Sequence, residues 1–224
     1  MLTFQYYLVA EWLCFIASIL LLKNATPRFW LVIKYYLFWI VLLESICFYF
    51  VKAPNINDNI SSIYNVAMVI EFSFGIWMIY KIVNDKRLKY IFVIGYLIFL
   101  TTFSFQAITH DPADTLHIYH DKAYLFGSAV MIILCIIYYY HLFQKEEYIN
   151  LQRDPAFWFV SAFFIFYTTS GGYNGFFPQL QETQDNNVLL LGYTITNILS
   201  SILYGFWIVS FICIKKTVKF TQQL

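Results

Sequence analysis

Long apolar runs alternate with short polar connections along this chain. Seven runs reach the roughly 20 residues that a helix needs to cross a bilayer. They are approximately Leu2–Leu22, Phe29–Val51, Ile60–Val83, Leu88–Ile108, Lys122–Phe143, Ala156–Phe177 and Asn187–Ile214. Asp154-Pro155 opens the sixth run with a capping residue and a proline at the first helical position, and Pro178 marks its far end. The first run follows Met1 without a basic flank or an A-x-A-like site, so it reads as a retained helix rather than a cleaved signal peptide. The pattern predicts an all-α polytopic membrane protein, residues 1–224 forming one domain of seven transmembrane helices.

The basic residues orient that bundle. Lys23 and Arg28 lie in the first connection, Lys81, Lys86, Arg87 and Lys89 in the third, Lys145 and Arg153 in the fifth, and Lys215, Lys216 and Lys219 in the tail. Lys34 can snorkel to the same side. The opposite connections carry only Lys52 and Lys122, with Asp58, Asp111, Asp114, Asp121, Glu182 and Asp185. Basic residues mark the cytoplasmic face, so the N-terminus is expected outside and the C-terminus in the cytoplasm of a multi-pass inner-membrane protein.

Composition sharpens this picture. The chain is 60% hydrophobic and 12% charged, about half the charge of a soluble domain, which leaves no stretch for a soluble catalytic domain. A net charge of +1 offers no basic face for phosphates, so the lipid bilayer rather than nucleic acid is the expected environment. The cysteines Cys14, Cys47, Cys135 and Cys213 fall within spans, form no CxxC pair and read as packing residues.

Against this background three acids stand out. Glu11, Glu44 and Glu71 sit inside apolar runs, where a carboxyl is costly without a partner or a function. At 1.5 Å per residue they lie ~14, ~10 and ~16 Å from the outer ends of their helices, in one layer. Three ionised carboxylates there would repel, so at least one is expected to carry a proton or share a cation. Small residues repeat beside them: Ala67, Glu71 and Gly75 on the third span, Asn197, Ser201 and Gly205 on the seventh, and Glu11, Cys14 and Ser18 on the first. Gly75 and Gly205 are therefore expected at helix contacts.

The run Tyr167-Thr168-Thr169-Ser170-Gly171-Gly172-Tyr173-Asn174-Gly175 is polar and glycine-rich at the outer half of the sixth span. It suggests either a broken helix lining a cavity or a helix end fraying into a loop. The candidate ligand-binding set is Glu11, Glu44, Glu71, Asn65, Tyr167, Thr168, Tyr173, Asn174, Tyr193, Asn197 and Ser201. These residues suggest an outward-facing polar pocket for a small-molecule or cation ligand; the alternative is a set of interhelical hydrogen bonds that only hold the bundle together.

His110, His117 and His120 share an outer connection with Asp111, Asp114 and Asp121, but without a metal-binding spacing they read as polar loop residues. His141 lies at the other end. Seven-helix amidases of the ceramidase type use several intramembrane histidines, which this chain does not have. A retinal Schiff base needs a lysine mid-way along the last helix, whereas none precedes Lys215 there. No phosphate-binding glycine loop or nucleophile elbow occurs. No enzyme activity, cofactor or metal site is therefore expected.

The third and seventh spans share Phe74-Gly75-Ile76-Trp77 and Tyr204-Gly205-Phe206-Trp207, and the second and sixth open with Phe29-Trp30 and Phe157-Trp158. The echo suggests two three-helix units joined by the fourth span, a 3+1+3 plan that pairs Glu71 with Ser201 and Ala67 with Asn197. That plan looks like small sugar- and vitamin-transporting permeases, although their diagnostic motifs are missing. The stretch Asn150–Tyr167, with Asp154-Pro155-Ala156-Phe157-Trp158, and the run Ile63-Tyr64-Asn65 leading to Glu71-Phe72 resemble small seven-helix bacterial membrane proteins of uncharacterised function. Related modules form the N-terminus of some sensor histidine kinases. The resemblance spans most of the chain and implies ligand sensing or a membrane accessory role with a signalling-protein partner. Small-solute transport is the alternative.

Overall fold

The computed structural model describes residues 6–51, 60–109, 119–144, 150–182 and 186–221. Within them seven α-helices follow in order: α1 Tyr6–Leu21, α2 Val32–Val51, α3 Ile60–Val83, α4 Lys89–Thr109, α5 Asp121–Phe143, α6 Pro155–Glu182 and α7 Asn186–Thr221. Five segments are long and apolar enough to cross a membrane: Arg28–Tyr49, Ser61–Val83, Lys86–Thr109, Asp121–Phe143 and Thr194–Lys216. The shorter α1 is also apolar. The length of α6 suffices, but its polar run lowers its hydropathy.

Local chemistry sets the helix ends. The Asp154 carboxylate accepts from the backbone N–H of Ala156 at 3.0 Å, which caps α6 where Pro155 begins it. Asp85 accepts from the Arg87 N–H at 2.8 Å in the tight turn before α4. The start of α5 is held from other helices. Gln106 of α4 donates to Asp121 at 2.8 Å and accepts from the Ala123 N–H at 3.0 Å, while Asn65 of α3 accepts from the His120 N–H at 3.0 Å.

Each helix packs on the next in chain order, and α7 closes the ring onto α1. Helix α3 also meets α5 and α6, so the first three and last three helices share one packed unit. Phe72 of α3 centres the core against Phe99, Tyr124 and Tyr167, with ring centroids 4.8, 5.6 and 5.3 Å away. Gly127 of α5 makes room for that ring, since a Cβ there would lie 2.7 Å from Phe72. Polarity is inverted relative to a soluble protein. Large apolar side chains such as Leu13, Leu20, Phe38, Ile94, Phe105 and Ile133 face outward, whereas Glu11, Ser18, Ser128, Asn197 and Ser210 are buried. Exposed apolar side chains of this kind, on helices long and apolar enough to span, suit a lipid environment.

Two expectations change. Helix α6 is not broken at Tyr167–Gly175 and does not stop at Pro178; it runs on to Glu182. Its polar side chains bond back one turn, Thr169 to the Ile165 carbonyl at 3.0 Å and Asn174 to the Ser170 carbonyl at 2.8 Å, which a continuous helix accommodates. Gly75 does lie at a helix contact, beneath Met131 and Phe163, but Gly205 does not: it is exposed, with no atom in the way of an added Cβ. A small-residue stripe reports space only where a neighbouring helix uses it.

Candidate functional site

The three acids come together. Glu11, Glu44 and Glu71 line one cavity of about 330 Å³, although they stand on α1, α2 and α3. The cavity lies toward the end of the bundle where α1, α3, α5 and α7 begin. Tyr7, Tyr36, Tyr64, Tyr119, Tyr124 and Tyr204 share the wall, with Thr196, Asn197 and Ser200 of α7. Among the described residues no lysine, arginine or histidine lines it.

Each carboxyl is held by tyrosine from another helix. Tyr204 of α7 donates to Glu11 Oε1 at 2.8 Å. Tyr167 of α6 donates to Glu71 Oε1 at 2.7 Å. Glu44 Oε2 accepts from Tyr7 of α1 at 3.1 Å and Tyr64 of α3 at 3.2 Å. These bonds fix the acids' rotamers and tie the ring together. They also replace part of the hydration that a carboxyl loses on leaving water.

The floor is aromatic. Trp207, Phe163 and Tyr36 line the cavity, and a second layer lies against them. Tyr36 stacks on Phe74 with centroids 3.8 Å apart, and Trp207 stacks on Phe159 at 4.8 Å. Beyond these rings the polar groups are paired with each other: Tyr139 with Ser161 at 2.8 Å and Tyr138 with Asp154 at 3.4 Å.

The remaining candidates divide. Asn197 is buried and lines the cavity, whereas Ser201 bonds to the Asn197 carbonyl at 2.8 Å and leaves its neighbour Ser200 at the wall. Tyr167 stands outside the lining and reaches the site through its bond to Glu71 and its ring contact with Phe163. Asn65 is withdrawn from the cavity by its bond to the start of α5. Thr168 is exposed and apart from the cavity, Asn174 is spent on its own helix, and Tyr173 lies over Gly192 of α7. The Tyr193 side chain lies outside the described residues, as do His110 and His117. His120 is buried beside Phe103, with centroids 4.9 Å apart. No cluster of His, Cys, Asp and Glu suited to a metal ion occurs among the described residues.

Sequence reasoning overlooked Tyr7, Tyr64 and Tyr204 as the acids' partners. A helical signal was present: Tyr7 precedes Glu11 by four residues, Tyr64 precedes Glu71 by seven, and Tyr204 follows Asn197 by seven, each on one helix face. Comparison with protein-family models, with curated proteins and with solved structures returned no match.

Proposed function

We propose that all seven helices span a bacterial inner membrane, with the N-terminus outside, and that the cavity receives a small solute from the outer side for ligand sensing or a membrane accessory role. The carrying observation is the convergence of three acids from three helices, each bonded by tyrosine from another, on one cavity of 330 Å³. That volume lies within the roughly 300–1,000 Å³ range of small-molecule sites. The Lys/Arg asymmetry supports the orientation, since the acid-lined end lies opposite Lys81, Arg87 and Lys215. A solute that altered the tyrosine–carboxyl bonds would act on α1, α2, α3, α6 and α7 together, which suits a receptor that signals through a partner protein. Kinship with the membrane modules of sensor histidine kinases is part of this proposal.

The second reading is a small-solute transporter of the 3+1+3 type, favoured by the paired Gly-x-Trp motifs at Gly75 and Gly205. Alternating access needs a polar route past the floor. The stacked rings of Tyr36, Phe74, Phe159 and Trp207 support the receptor reading instead.

Fusions after Leu224 test the orientation. A cytoplasmic fluorescent reporter should be active there and alkaline phosphatase inactive; active phosphatase would refute it. Ser161→Cys separates the two roles. A receptor keeps it inaccessible to thiol reagents from the cytoplasmic side, whereas a transporter exposes it in part of its cycle.

A further inference from the structure

We infer that the cavity is built for a small organic ammonium ion that carries N–H donors and one neutral oxygen acceptor. The inference rests on the reading that the cavity binds a solute, and adds the ligand's chemistry.

Two buried atoms carry it. Glu11 is fully buried and faces the cavity; Tyr204 occupies its Oε1, and Oε2 has no hydrogen-bond partner. Trp207 is 1% exposed, forms the floor, and its Nε1–H has no acceptor. Buried polar atoms are bonded in the great majority of cases, so an unpartnered acceptor and an unpartnered donor on two residues that line one cavity point to the groups a guest would supply. Glu11 asks for an N–H or O–H donor. Trp207 asks for an oxygen.

Charge chooses between those donors. Three carboxyls face the cavity, and no lysine, arginine or histidine lines it among the described residues. An acid removed from water needs a counter-charge or a proton, and a cationic guest provides the former. The walls favour an organic cation over a metal ion. Aromatic faces attract ammonium groups, and Tyr36, Tyr64, Tyr124, Tyr204 and Trp207 surround this space. A metal ion requires several ligands around one point at about 2.0–2.6 Å. No such cluster occurs among the described residues. Since Glu11 Oε2 needs a donor hydrogen, a primary ammonium suits the site better than a quaternary one.

The test uses purified protein in lipid nanodiscs and follows thermal unfolding with 4-aminobutanol, butylammonium, tetramethylammonium, 1,4-butanediol, sodium and zinc ions, each alone. A ligand that binds only the folded form raises the melting temperature with its concentration. We expect 4-aminobutanol to bind at least about tenfold more tightly than 1,4-butanediol, as a charge-assisted bond predicts. We expect Glu11→Gln to erase that preference. Trp207→Phe should remove the preference for 4-aminobutanol over butylammonium while both ammonium ions still bind, and it decides the matter if Glu11→Gln does not fold. Equal stabilisation by the diol would overturn the ammonium assignment and leave a solute pocket standing. Stabilisation by sodium or zinc ions alone, or by none of these probes, would overturn it too, while access to the cavity from outside is decided separately by labelling Ser200→Cys.

Discussion

The hydroxyl of Tyr204 on α7 donates a 2.8 Å hydrogen bond to the fully buried carboxyl of Glu11 on α1, so the last helix closes the ring onto an acid of the first. Tyr204→Phe should cost about 1–3 kcal/mol, the cost of stripping a buried polar atom of its partner. Tyr204→Phe combined with Glu11→Leu should recover part of that loss, because no orphan then remains at Oε1. Thermal unfolding of the purified protein reads both effects. A double variant no more stable than the single one would show that the bond does not govern the α1–α7 contact.

Glycines separate real contacts from apparent ones. Gly127→Ala pushes a methyl into the Phe72 ring and should lower stability by about 1–3 kcal/mol. Gly205→Ala meets open space and should be neutral or stabilising by up to about 1 kcal/mol, through helix propensity. The order of the two melting temperatures is the check; reversal would mean that α3 and α5 are not packed through Gly127.

Gln106 clamps the start of α5 by two bonds, and the adjoining Tyr119 and Tyr124 line the cavity. Gln106→Leu should free the Ala123 N–H, speed amide hydrogen exchange in the first turn of α5, and leave exchange in the middle of α7 unchanged. Unaltered exchange at Ala123 would remove the clamp from the account.

Glu71→Gln keeps the shape of the side chain and its bond to Tyr167 while deleting one charge from the cavity. It should fold with a melting temperature within about 1 kcal/mol of the parent, since a neutral amide is cheaper to bury than a charge. It should also weaken any cationic probe relative to a neutral one. Equal weakening of both would mean that Glu71 shapes the cavity without supplying charge.

Much of the architecture was legible because apolar run length is a direct physical requirement of a spanning helix. The run Ile60–Val83 coincides with α3, and Lys122–Phe143 differs from α5 by one residue. The acids were legible for the same reason, since a carboxyl among apolar residues is anomalous. Their partners were not. Tyrosine is abundant in this chain, with 19 copies, and an amphipathic ring fits a core or a membrane interface equally well. Composition also suggested a break in α6, whereas the helix is continuous and Thr169 and Asn174 turn back on its own carbonyls. Gly205 shows the remaining limit: spacing identifies a stripe on a helix but not whether another helix covers it.

Ser200 lines the cavity beside Asn197, on the α7 wall facing the three acids. Ser200→Cys in intact cells should react with a membrane-impermeant thiol reagent added outside, above the background of the four native cysteines, all buried. Lys81→Cys, at the opposite end of α3, should react only after the cells are permeabilised. Labelling of position 81 but not 200 from outside would contradict an outward-facing, acid-lined pocket.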